Sequence, residues 1–291
     1  MSIISIASSA LVIMTPILFA ATGGLFTAHA GMLNIALEGS LLIGAFAAAA
    51  TAYVTGSFAA GIAAAMLASA ALSALHAFAA LKLRANVFIT GLAANLLAGG
   101  LTAVLTQSLI GAPGIIDLRS ALRSALPAPG ASIPGAFIIA SWLLLGAAWL
   151  ALYKTPFGYR LRACDANAAA LESLGIQAGA YRWAAFLISG FFCGIGGAFL
   201  SLNLGAFVPN MSAGKGWIAL VIIFLGGRRP LGLLAAAFAY GLAEAFSNHA
   251  QGLQFARLSV PADLVLALPY ILTLLAMVLA SIWEKRRPGH S

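Results

Sequence analysis

Two carboxylates fall inside otherwise apolar stretches of this sequence, Glu38 and Glu244. Glu38 belongs to Gly31-Met32-Leu33-Asn34-Ile35-Ala36-Leu37-Glu38-Gly39, where an amide and an acid are bracketed by glycines. A charge inside a membrane span costs about 2.5–3.5 kcal/mol on insertion scales, so it faces a bundle interior or a water-filled path. Asn34 and Glu38 are four residues apart, which predicts one shared helix face. The pair suits a helix lining a translocation route or a carboxylate that locks one gate state. The plainer alternative is a satisfied structural Glu near the cytoplasmic interface. Glu244 lies in Glu244-Ala245-Phe246-Ser247-Asn248-His249, with Asn248 as its i+4 neighbour. A hydrogen-bonded pair near the outer interface and a pore role are equally open for it. Asn95 and Asn203 read as lone buried amides that bond between helices.

Other chemistries find no residues to perform them. Ser212-Ala213-Gly214-Lys215-Gly216 invites a phosphate-loop reading, but that motif needs Gly five residues before the Gly-Lys pair and Ser or Thr after it. Pro209 and Gly216 occupy those positions. No nucleotide site is therefore expected, and energy must come from another chain or from an ion gradient. His29, His76 and His249 stand apart, with no nucleophile–base pair and no metal-ligand cluster. Cys164 and Cys193 have neither metal nor redox spacing and read as small packing residues.

Composition says what must position these groups. Of 291 residues 62% are apolar and 8% charged, with a mean hydropathy of +1.02. A soluble domain carries about 25% charged residues, so lipid must be the main solvent. The length allows roughly eight to ten spans of about 20 residues. An all-α, polytopic transmembrane bundle is expected, forming a single membrane domain over residues 1–291. Apolar runs at 6–28, 32–54, 58–81, 87–110, 134–153, 183–204, 231–248 and 263–283 are long enough to cross. A further run at 216–227 is too short and predicts a broken or re-entrant helix held against protein. Residues 1–28 contain no Lys or Arg, which argues for a first span and against a cleaved signal. Abundant small residues, as at Gly44-Ala45, Gly99-Gly100 and Gly194-Ile195-Gly196-Gly197, predict close helix packing.

The net charge of +8 is not gathered on one amphipathic stripe, so no nucleic-acid partner is indicated. It falls in clusters between spans. Lys82, Arg84, Lys154, Arg160, Arg162, Arg182, Arg228, Arg229, Lys285, Arg286 and Arg287 lie on one side, and Arg119, Arg123 and Arg257 on the other. The rule that basic residues stay inside makes 154–182 and the C-terminal tail cytoplasmic. The connections 111–133 and 249–261, and the N-terminus, then face outward.

The longest cytoplasmic connection holds a short helix. Pro156 and Gly158 break the preceding span, Asp165 or Asn167 can cap the next helix, and Gly175 can close it in a left-handed conformation. Leu171 and Leu174 are expected on one face. A helix this short is marginal alone, so docking into a partner's groove should hold it.

Three ordered blocks carry a resemblance. The first is Gly31–Gly39, with its Asn-Ile-x-Leu-Glu-Gly core. The second is Gly158–Ile176, which starts Gly-Tyr-Arg-Leu-Arg-Ala and ends Leu-Gly-Ile. The third is Ser189–Pro230, which holds Ser-Gly-Phe-Phe-Cys-Gly-Ile-Gly-Gly, Gly-Lys-Gly-Trp-Ile-Ala and Leu-Gly-Gly-Arg-Arg-Pro. Asn86-Val87-Phe88-Ile89-Thr90-Gly91 through Asn95 adds a weaker match. With these the chain resembles permeases of the branched-chain amino acid and ribose-type ABC importer family, closest to the simple-sugar and nucleoside branch.

The resemblance implies a non-catalytic permease of a bacterial cytoplasmic membrane. A second permease, homologous or identical, would pair with it, and an extracytoplasmic binding protein would deliver solute. ATP would be bound and hydrolysed by ATP-binding cassette subunits, leaving this chain without a cofactor. Coupling to them would fall on Arg162, Asp165, Ala169, Leu171, Leu174 and Gly175. Asn34 and Glu38 would line or gate the path, beside a broken element over 205–226. Cys164-Asp165 departs from the small or glycine-like pair more usual at the loop's start. The competing expectation is a self-contained ion-coupled carrier using Glu38 and Glu244.

Overall fold

The computed structural model describes residues 3–110, 114–118 and 133–252. Its helices are α1 (Ile3–His29), α2 (Leu37–Thr55), α3 (Phe58–Ala77), α4 (Val87–Ile110), α5 (Ile133–Lys154), α6 (Pro156–Ala166), α7 (Ala168–Ser173), α8 (Ala178–Leu204), α9 (Lys215–Leu225) and α10 (Pro230–Gly252). A π-helical turn, Phe78–Lys82, prolongs α3. Seven of these helices, α1 to α5, α8 and α10, are long and apolar enough to cross a membrane. The chain is a polytopic helical bundle. The predicted span 263–283, the basic tail and Arg119, Arg123 and Arg257 lie outside the described residues.

Helix α8 is the axis of the bundle and packs against α1, α2 and α3. It can approach them closely because its inner face is small. A β-carbon at Gly194 would lie 2.5 Å from the Ala65 carbonyl of α3, and one at Gly197 would strike the Leu41 carbonyl of α2. Backbone contact of this kind is how helices associate where lipid tails are as apolar as leucine. Gly99 and Gly100 behave differently, since a β-carbon at either meets nothing within 4 Å. Leu96, Leu97, Val104, Ile139 and Leu143 on α4 and α5 are exposed, as lipid-facing positions are.

Two departures from helix matter. Residues expected to open a span at 32 are non-helical, irregular over 32–34 and turning at 35–36, and α2 begins only at Leu37. Gly31 ends the turn after α1 in a left-handed conformation at φ +73°. The second departure follows α8. A two-residue antiparallel ladder pairs β1 (Ile116–Asp117) with β2 (Ala206–Phe207), a small addition to the all-α expectation. The chain then turns back into the bundle and starts α9. At 11 residues α9 is about 16 Å long, half of a hydrocarbon layer about 30 Å thick. The predicted short run is thus a half-length helix.

Lys82, Arg84, Lys154, Arg160, Arg162, Arg182, Arg228 and Arg229 gather at one end, where α1, α3, α5 and α9 finish and α4, α8 and α10 start. The β1–β2 ladder lies at the other end.

Candidate functional site

Glu38 sits in the first turn of α2 and reaches across to the start of α9. Its carboxylate accepts hydrogen bonds from the backbone N–H of Gly214 at 2.8 Å and of Gly216 at 2.7 Å. The first N–H groups of a helix have no partner within it and carry partial positive charge. The N-cap of α9 is Gly214, which has no side chain to satisfy them and adopts φ +82°. Glu38 therefore caps α9 from another helix. Gly216 allows the approach, since a β-carbon there would run into the backbone of Glu38. The segment resembling a phosphate loop does bind an anion, and the anion is the protein's own carboxylate. The clamp stands one half-length helix, about 16 Å, from the basic end where α9 finishes.

Asn34 does not share a helix face with Glu38, because residues 32–34 precede the helix. Its amide instead organises the non-helical link. Asn34 Nδ2 donates to Ser189 Oγ at 2.9 Å, and Asn34 Oδ1 accepts from the Ala36 N–H at 3.0 Å. Asn95, on α4, holds the next stretch: its Nδ2 donates to the Ile35 carbonyl and its Oδ1 accepts from the Gly39 N–H at 2.7 Å. In lipid every backbone polar group must find a partner within the protein. These two amides supply partners where the helix is missing, so Asn95 is the interhelical amide expected.

His76, isolated in the sequence, joins this cluster in the fold. Its Nδ1 lies 3.1 Å from Asn34 Oδ1 and its Nε2 3.1 Å from the Val87 carbonyl, with the ring edge-on to Phe186. Sequence spacing could not find His76 or Ser189. They are 42 and 155 residues from Asn34, and only helix packing brings them in. The nearest signal was Ser189 opening the Gly-rich run of α8.

Glu244 and Asn203 stand apart from the cluster. Glu244 Oε2 is buried without a hydrogen-bond partner, and Asn248, one of the two openings left for it, is exposed. Asn203 is exposed on the last turn of α8, so the buried amide predicted there is absent: the helix turns this position outward.

At the charged end, α6 and α7 form the expected connection. Asn167 is the N-cap of α7, its Oδ1 accepting from the Ala170 N–H at 3.0 Å. Gly175, at φ +76°, closes it: the Gly175 N–H bonds to the Glu172 carbonyl and the Ile176 N–H to that of Leu171. That is the Schellman pattern. The two leucines part company, however. Leu171 is buried with Cys164 and Ala178, whereas Leu174 is 75% exposed. A helix of six residues presents only one turn to each side, and the closing turn swings Leu174 outward. Ala169, Leu174 and Gly175 share the exposed surface.

Arg162 is held between the rings of Tyr153 at 4.6 Å and Tyr159 at 5.2 Å. Asp165 forms an ion pair with Arg228 at 3.1 Å. The Cys164 thiol contacts the Arg160 carbonyl, and burial raises its pKa above the ordinary value, as suits a packing residue. Arg182 ties this loop to α1, donating from Nε to the Ala30 carbonyl and from Nη2 to that of Cys164.

The comparisons with known proteins fit this architecture. Residues 6–278 match the family described as branched-chain amino acid transport system / permease component. The nucleoside ABC transporter permease protein NupC of Lactococcus lactis is 32% identical, over 94% of this chain and 91% of its own length. The guanosine ABC transporter permease protein NupQ of Bacillus subtilis is also 32% identical, over 94% of this chain and 90% of its own. A multi-pass bundle broken at two points, with a capped helix at its basic end and a family match over nearly its whole length, belongs to the branched-chain amino acid transport system permease family.

Proposed function

We propose that this chain is the membrane-spanning subunit of an ABC importer in a bacterial cytoplasmic membrane, and that its cargo is a nucleoside, with a simple sugar next. ATP is bound and hydrolysed on a partner ATP-binding cassette subunit. A second permease, homologous or identical, completes the path, and an extracytoplasmic solute-binding protein loads it. The observation that carries the ATPase partnership is α7, a two-ended capped helix that presents Ala169 and Leu174 outward at the basic end. The cargo rests on similarity to the nucleoside and guanosine permease proteins. Asn34, Glu38 and Asn95 hold the broken stretch beside the path, and Glu38 is its gate. Family membership speaks against a self-contained ion-coupled carrier using Glu38 and Glu244.

Reconstitution tests this reading. Vesicles carrying the permease pair with its ATPase, supplied with binding protein, should accumulate labelled nucleoside only when ATP is present. The chain alone should accumulate none under a sodium or proton gradient, and uptake there would overturn the importer reading.

A further inference from the structure

The docking helix α6 packs on α1, α5 and α8 and α7 on α6 and α8, while α9 packs on α2, α10 and the same α1. The Arg228–Asp165 pair bridges the two sets. Asp165 lies two residues before Asn167, the cap of α7. Arg228 lies just past the C-terminal end of α9, where its N–H closes the last turn on the Ile223 carbonyl at 3.0 Å. At its other end α9 is held by the Glu38 carboxylate through Gly214 and Gly216. One short rigid helix therefore has the docking loop at one end and the Glu38 clamp at the other.

The pair is a poor structural fastener. Both side chains are 42% exposed, and an exposed pair contributes at most about 1 kcal/mol. Arg228 also holds φ +53°, a conformation glycine adopts far more readily than a residue with a side chain. From that backbone its guanidinium reaches Asp165.

We propose that Arg228 and Asp165 are a positioning pair that converts displacement of the docked α7 into movement of α9, and so opens or closes the Glu38 clamp. The proposal rests on the importer reading above. It assigns α9 the role of strut between the energy source and the gate.

The test uses the complete importer in proteoliposomes and reads nucleoside taken up per ATP hydrolysed. Arg228→Asp should lower that ratio at least fivefold, and the swap Asp165→Arg/Arg228→Asp should restore it to within twofold of wild type. A merely structural pair would reduce the amount of inserted transporter and leave the ratio unchanged. An unchanged ratio in Arg228→Asp, or a swap no better than Arg228→Asp, overturns the proposal. If Arg228→Asp does not insert, Arg228→Gln is read in the same way, and an unchanged ratio overturns it equally. Wild type without ATP-dependent uptake removes the importer reading and the strut with it, an outcome distinct from a failed variant.

Discussion

Among single residues, Glu38 has the clearest physical consequence. Its two oxygens are matched to two N–H donors at the start of α9. A glutamine keeps one carbonyl oxygen and turns the other position into a donor facing a donor. Glu38→Gln should therefore insert and fold, yet lose at least tenfold in uptake; normal uptake would reduce Glu38 to a structural cap. Glu38→Ala leaves both N–H groups unpaired, at about 1–3 kcal/mol each, so its thermal midpoint in detergent should fall clearly below that of Glu38→Gln. The acid and its apolar setting were legible in the sequence. Its partners were not, because Gly214 and Gly216 lie 176 and 178 residues away and contribute only backbone. Hydrophobicity patterns carry no information about which main-chain amide a carboxylate will meet.

At the level of elements, α7 separates two leucines that spacing had placed together. Leu171 is packed inside with Cys164 and Ala178, and Leu174 stands in the open. Leu174→Asp should abolish co-purification with the ATPase while the loop keeps its resistance to limited proteolysis. Leu171→Asp should make residues 156–177 protease-sensitive, because the charge would be buried in an apolar cluster. Retained co-purification in Leu174→Asp would remove α7 from the docking surface. The caps of this helix were readable, since Asn167 and Gly175 act through local chemistry that sequence spells out. The start of α2 was not. An apolar run looks the same whether its backbone is helical or irregular, and here Gly31, Asn34 and the distant Asn95 amide hold the irregular form.

For the whole molecule, charge asymmetry predicts an orientation that labelling can check. The turn joining α2 to α3 lies opposite the basic end, and the docking loop lies on it. A cysteine at Thr55 should react with an impermeant maleimide on intact cells, and one at Glu172 only after permeabilisation. Both native cysteines are buried, so background should be low. The opposite pattern would invert the topology. Long apolar helices and basic clusters are whole-chain properties, which is why the bundle and its spans could be read before the fold was known. The glycine seam of α8 adds something composition cannot express. Main chain meets main chain there, so a side chain added on this seam has to displace backbone of α2 or α3. Saturation mutagenesis should accordingly draw a sharp boundary: Gly194 and Gly197 closed even to alanine, Gly99 and Gly100 open to it. Such a tolerance map would trace the seam where α2, α3 and α8 meet without any second structure.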